Sequence, residues 1–478
     1  MRLRILPALL LAAAVLLALP AACRAPGGEA AGVPEAGEVL EFARGGTRVT
    51  EETDRTDGFS VQRRVYALYN GDEAVMGRAE APEDLGPVSL AALELPAGAG
   101  TVRWFDAAAG AWIAAPLAEA VFKTSCAVVT LEAGGEYLLY MPKLYQDQGF
   151  GTVRYLRALD GALTVEASED GWRLTLTAAS LPTGCEADYM TLASQVRLFE
   201  NPAVLDSFWR LYTLDGDGKW RYDGYYYPSP ATYTPSGEDC LYRLPAAYLC
   251  KSFVYGASKV RAAEDLAVAT LDVMARQQSL YGYFPTLPES QWLSEDYGIG
   301  PGFYDTRFNT ELVEIYLRYI AQNPCEAFTA LLDRYFDFYL DFAAVHHRET
   351  EHGGWLVDDY WHPDGGRGTH TSLNHQLAEL LALYHGADSL DRPELRALAD
   401  RMLRAVQDTA PSWVRADGDL HYACYPDGSY GGSDYPYLTY NDLYHLREYL
   451  PEPVPELEAL MEAKRAWMDR SGVTGYLQ

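Results

Sequence analysis

Glu311–Tyr339, reading ELVEIYLRYIAQNPCEAFTALLDRYFDFY, decides the fold class of the second half of this chain. Leu312, Ile315, Tyr316, Tyr319 and Ile320 recur at helical spacing, and Phe328, Leu331, Leu332, Tyr335, Phe336 and Tyr339 do so again after the break at Asn323-Pro324. Two amphipathic stripes joined by a short breaker predict an antiparallel helix pair. The pattern continues outward. Leu373, Leu377, Leu380, Leu381 and Tyr384 face Leu395, Leu398, Met402 and Val406, with Asp391 and Pro393 read as cap and first-turn signals. A last stripe holds Leu457, Leu460, Met461, Trp467 and Met468, and Lys464 interrupts it. Successive helix pairs joined by long loops predict an all-α α/α toroid over residues 244–478, with its loops gathered at one end.

Toward the N-terminus the period changes from helical to two. Leu163, Val165 and Ala167 alternate, Asp170-Gly171 turns, and Trp172, Leu174 and Leu176 alternate again, while Val65, Ala67 and Tyr69 precede Asn70-Gly71. The expected order is multidomain: an N-terminal β-rich region, with a β-sandwich-like domain over 49–145 and a β-rich segment over 146–243, then the toroid. Asp215-Gly216-Asp217-Gly218 imitates a calcium loop but has Lys219 at the third ligand position, so it reads as a hairpin turn.

The first 23 residues run from Arg2 and Arg4 through an apolar stretch to Pro20-Ala21-Ala22-Cys23, the layout of a lipoprotein-type signal. Export is expected, with lipidation at Cys23 tethering the protein to a membrane surface and residues 24–48 serving as linker. Against 67 acidic side chains stand 38 basic ones, for a formal charge of -29. Such a surface repels nucleic acid, so no nucleic-acid partner is expected. It is also a poor host for a polyanion unless arginines gather locally. Six cysteines follow Cys23 without a CxxC pair, leaving a local Cys240–Cys250 bridge or buried free thiols as the alternatives. His362, His370 and His375 lack the spacing of a helical zinc pair and read as hydrogen-bonding residues; no metal and no cofactor is expected. The absence of a phosphate-cradling glycine loop and of a GxSxG elbow removes phosphoryl transfer and serine-hydrolase chemistry.

Three loops crowd polar and aromatic residues: Trp292–Asn309, Gly353–His375 and Tyr422–Tyr444. Arg307 and Asn309 stand at a helix entry, where they can hold a carboxylate or sugar hydroxyls; the alternative for Arg307 is an ion pair with Asp305 or Glu311. Trp355, Trp361, Tyr360, Tyr435 and Tyr437 offer flat faces to sugar rings. Of the neighbours Asp358 and Asp359, only one faces a cleft, because adjacent side chains in extended backbone diverge.

With Asp359-Tyr360 ahead of the helix start Leu373-Asn374, and Tyr435 ahead of Asn441 and Leu443, the second half resembles the C-terminal domain of D-glucuronyl C5-epimerases over roughly Tyr281–Leu450. Asp359 stands where that family carries Glu. The resemblance implies that Tyr360 and Tyr435 are opposed acid/base groups, with Tyr437 competing for the second place, and that Tyr422 is a further catalytic tyrosine. It also implies that Asp359 orients Tyr360, and that Arg307 with Asn374 holds a uronate carboxylate. Expected partners are a polysaccharide or oligosaccharide and a membrane, the latter through the lipid anchor. A polysaccharide lyase or glycoside hydrolase on the same helices, and a lipoprotein that binds glycan without reacting, are the other readings.

Overall fold

The computed structural model describes residues 39–42, 45–56, 58–201, 203–206 and 218–477. The signal, Cys23 and Asp215–Asp217 lie outside the described residues.

Strand alternation produces a large antiparallel sheet. Its main path runs Val39–Phe42, Gly45–Thr56, Phe59–Ala67, Glu73–Glu80, Cys185–Ser194, Glu136–Gly149, Thr152–Tyr155, Cys240–Arg243, Gly224–Pro228 and Lys219–Arg221. A smaller sheet pairs Val88–Pro96, Gly171–Ala178, Ala162–Ser168 and Ala120–Phe122. Both hairpins read at Asn70-Gly71 and Asp170-Gly171 form, in the registers Ala67↔Glu73 and Ser168↔Gly171. Gly71 and Gly171 both take positive φ, +88° and +153°, where a side chain would be strained.

The helices are α1 (Tyr248–Gly256), α2 (Arg261–Ala275), α3 (Gln291–Tyr297), α4 (Thr306–Gln322), α5 (Glu326–Val345), α6 (Leu373–Leu390), α7 (Pro393–Trp413), α8 (Leu438–Tyr449) and α9 (Pro455–Ser471). The break at Asn323-Pro324 separates α4 from α5 as read. Pro393 opens α7, but Asp391 closes α6 in the left-handed region, at φ 54°, instead of capping α7.

A β-sandwich-like region followed by an all-α toroid is not what forms. Strand and helix are present in nearly equal amounts. The large sheet is buried on both faces: Val61, Ala79, Leu139 and Leu144 pack toward the small sheet, whereas Tyr66, Met76, Leu138, Tyr140 and Leu192 join the core of the helices. Strand Glu136–Gly149 crosses the expected boundary at 145/146 unbroken, its first ten residues all buried. The helical half is not all-α either, for short strands pair among its loops. The reason is economy of burial: a sheet with two apolar faces needs a cover on each, and the helices supply the second.

Polar contacts tie the layers together. Tyr66 donates to Asp272 of α2 at 2.8 Å, and Arg276 of the same segment reaches Glu51 of the sheet at 3.0 Å. Within the sheet, Arg78 meets Asp188 at 2.8 Å and Asp223 at 2.6 Å, and Arg221 meets Asp188 at 2.9 Å. The six described cysteines are buried free thiols, so the Cys240–Cys250 bridge does not form.

Candidate functional site

Two helices of this half begin directly after short strands that pair among the loops. Tyr304–Asp305 pairs with Tyr360–Trp361 and leads into α4; Thr371–Ser372 pairs with His421–Cys424 and leads into α6. Main-chain bonds join the strips, from Thr306 N to the Asp359 carbonyl (3.1 Å) and from Asp359 N to the His370 carbonyl (3.0 Å). Residues near 305, 360, 372 and 422 thereby become neighbours.

Tyr360 is 8% exposed, its ring 5.3 Å from Trp292, 6.1 Å from Phe303 and 5.7 Å from His370 and His375. Tyr422 and Tyr360 each place a ring 5.7 Å from that of His370, and their phenols interact electrostatically. The Tyr422 ring meets that of Tyr435 edge-on at 6.0 Å. Tyr435 is half exposed, at 50%. Tyr360, Tyr422 and Tyr435 thus form one row. Asp359 is buried and accepts from Ser372 N (2.9 Å) and Ser372 Oγ, with His370 Nε2 at 3.3 Å. Asp358 turns the other way, accepting from Thr369 N at 3.2 Å.

Arg307 does not have a free end. It binds Asp442 through both terminal nitrogens (2.7 and 3.2 Å), Glu311 through Nε (2.9 Å) and the Asn374 carbonyl (2.9 Å). The Glu311 ion pair weighed as the alternative is present, and Asp442 is a partner the sequence did not suggest. Asn309 is fully buried, its amide spent on the main chain of Phe284 and Asp305, so a ligand cannot reach it. Asn374 is buried beside Arg307 with its side-chain oxygen unpartnered among the described residues. Trp355 stands apart, stacked on His347 at 3.9 Å with Arg401 over its other neighbourhood at 4.7 Å. Tyr437 is exposed at the start of α8.

Several members were missed. Asp305 caps α4 through Phe308 N (3.0 Å) and sits beneath the tyrosine row. His370 is ringed by Trp292, Tyr297, Tyr360, Tyr422 and Tyr425 and bonds the Tyr297 hydroxyl at 2.9 Å. Tyr233, from the β-rich half, lies within electrostatic reach of Asp305 and Tyr435, and Tyr248, at the start of α1, within reach of Glu311, Asp305 and Arg307. The run Tyr225-Tyr226-Tyr227 followed by Tyr233 was the available signal, and of these four only Tyr227 is exposed.

Burial dominates the electrostatics. It raises Asp305 to about 7 and Glu379 to about 8, puts Asp358 and Asp442 at about 6, and holds Asp359 well above the carboxylate range. It lowers His370 to about 4 and His375 further, so both imidazoles are neutral at pH 7. The phenols of Tyr360, Tyr422 and Tyr435 are pushed up by burial and then by neighbouring tyrosines and carboxylates, and are protonated at neutral pH.

A carboxyl whose folded pKa is raised binds its proton more tightly when folded, so its stabilising contribution declines as pH rises from about 4, the unfolded value. The window here runs up to about 8. The melting temperature is therefore expected to drop by about 5 °C or more between pH 5 and pH 8. A calorimetric series in which it climbs instead means these carboxyls are ionised in the folded protein.

Two surface cavities lie elsewhere. One of about 710 Å³ between α7 and α9 is lined by His352, Arg404, Asp408, Glu456 and Leu460. The other, about 530 Å³, is lined by Arg415, Asp417, His421 and Gly431–Ser433, behind the strand that carries Tyr422. Neither is lined by Tyr360 or Arg307. The described residues hold no cluster of three or more potential metal ligands.

No family model matches the sequence, and no curated protein does. Among the solved structures to which the chain is similar in part are three sugar-processing enzymes. A D-mannose isomerase is 14% identical with a TM-score of 0.35, over 47% of this chain and 60% of that one. An unsaturated glucuronyl hydrolase from Bacillus sp. GL1 is 17% identical with a TM-score of 0.34, over 48% and 62%. A family 76 glycoside hydrolase from a bovine Bacteroides thetaiotaomicron strain is 10% identical with a TM-score of 0.38, over 83% and 75%. The match spans about three fifths of the first two structures. TM-scores this low say nothing about which residues react or on what.

Proposed function

We propose that this protein is a carbohydrate-active enzyme that moves a proton at a sugar ring, acting as a uronic-acid C5-epimerase on a polysaccharide outside the cytoplasm. The observation that carries this reading is the gathering of Tyr360, Tyr422 and Tyr435 around His370, with Asp305 and Arg307 close enough to act on the Tyr435 phenol electrostatically. Inversion at C5 removes a proton beside a carboxylate from one face and returns one to the other, so two acid/base groups must flank the ring. Burial keeps Tyr360 protonated, which suits the donor. Tyr435 is more exposed, Arg307 offsets part of the rise in its pKa, and it serves as the acceptor once its proton has been given up to solvent.

The substrate carboxylate takes the place of Asp442 on Arg307. Asp442 accepts a proton readily because burial has already raised it to about 6. The exchange answers the charge problem of an acidic chain: the cation is present, but its partner must yield. Tyr227, Tyr248, Tyr435 and Tyr437, each at least about a third exposed, provide the rim on which sugar rings stack.

The test is incubation of the protein with uronate-containing polysaccharides in deuterated water, followed by NMR at C5. Deuterium entering C5 supports the reading. Unsaturated ends absorbing in the near ultraviolet instead identify a lyase, and binding without either change identifies a glycan-binding protein. Export and lipidation at Cys23 belong to the same proposal; fatty-acid labelling that persists in Cys23→Ala would refute the anchor.

A further inference from the structure

Lys464 occupies an apolar stripe of α9 between Leu460, Met461 and Met468, and it is completely buried. An ammonium leaves water only where other polar atoms replace its hydration. Its Nζ meets Asp419 Oδ1 at 2.6 Å, Asp434 Oδ2 at 2.7 Å and the Tyr435 carbonyl at 2.8 Å. Those three partners come from both sides of one hairpin. Asp419 lies three residues before Tyr422, at the entry to strand His421–Cys424. Asp434 directly precedes Tyr435, and its other oxygen accepts from Thr439 Oγ1 at 2.6 Å in the first turn of α8. The returning strand ends at Ser433, so Tyr435 lies beyond the last ladder pair, His421↔Ser433. Sheet pairing therefore does not hold Tyr435 against Tyr422. The ammonium does.

We propose that Lys464 is a positioning residue: it sets the spacing of the Tyr422 and Tyr435 rings, and through it proton transfer in the site, without touching substrate. The consequence for catalysis rests on the epimerase reading above; the spacing does not.

Two variants of the full-length protein test this. K464M leaves two carboxylates buried without their cation, and its folding suffers for that reason alone. The triple variant K464M/D419N/D434N removes all three charges together at nearly constant volume, and it is the decisive one. It is expected to melt cooperatively, to lose hydrogen-exchange protection about tenfold across 430–437 while α6 and α7 keep theirs, and to lose about 10²-fold in kcat for C5 exchange with KM little changed. A purely structural role for the triad would lower the melting temperature and leave the local protection and kcat untouched. Wild-type protection across 430–437 in the folded triple variant overturns the proposal, as does wild-type kcat once that protection is lost. If the unaltered protein shows no C5 exchange, the epimerase reading fails by itself, and the hydrogen-exchange comparison still decides the role of Lys464.

Discussion

Tyr360→Phe is expected to lower C5 solvent exchange by about 10²–10⁴-fold, the range that one positioned acid/base group supplies, while leaving the fold intact. The ring itself is held by Trp292, Phe303, His370 and His375, and phenylalanine keeps all of those contacts. The main chain at this position is secured by the bond from Tyr360 N to Thr369 Oγ1 at 3.2 Å, which the substitution does not reach. Only the hydroxyl is lost, and with it the electrostatic contact with the Tyr422 phenol. The stability cost should therefore be no more than about 1 kcal/mol, that of one hydrogen bond. Undiminished exchange in a folded Tyr360→Phe protein would remove Tyr360 from the chemistry and with it the present assignment of the row.

Arg307→Met should be the most destabilising single change at the site. The guanidinium neutralises Asp442 and Glu311 and ties the start of α4 to the start of α6 through the Asn374 carbonyl. Arg307 and Asp442 are only 12% and 11% exposed, so water cannot take over when one partner goes. Removing one member of such a buried pair costs about 3–5 kcal/mol, which corresponds to a melting temperature lower by roughly 10 °C for a unit of this size. Arg307→Met/Asp442→Leu should recover a good part of that loss, because a buried pair replaced as a unit leaves no unpaired charge. Denaturant titration of the two variants gives the comparison. If the single variant costs less than about 1 kcal/mol, the pair is effectively solvated, and exchange of Asp442 for a substrate carboxylate becomes easy instead of coupled to proton uptake.

The charged residues of the site show where reading by residue type stops. Arg307 at a helix entry was visible as a cation with a fixed base, but its commitment to Asp442, far along the chain in α8, was not. Asn309 looked equally available and is sealed inside. Asp358 and Asp359 do diverge as extended backbone requires, and Asp359 is the one turned toward Ser372 and His370. Lys464 was visible only as an interruption in an apolar stripe; its purpose depends on two aspartates delivered by a separate hairpin.

Periodicity by itself determined where α4–α7 and α9 lie, where the break at Asn323-Pro324 falls and which hairpins turn at Asn70-Gly71 and Asp170-Gly171, because these follow from the 3.6- and 2-residue repeats of the backbone. Composition marked the aromatic-rich loops, and the family resemblance marked Asp359-Tyr360. Only the tertiary structure decided that the large sheet is covered on both faces, since EYLLYMPKLY at 136–145 is apolar enough for burial on two sides but does not say what provides the second cover. It alone decided, too, that Asp305, Tyr360, Ser372 and Tyr422 meet. Contacts between strands distant in the chain depend on which faces can be buried together and which charges can be paired there, and neither is a property of a local stretch of sequence.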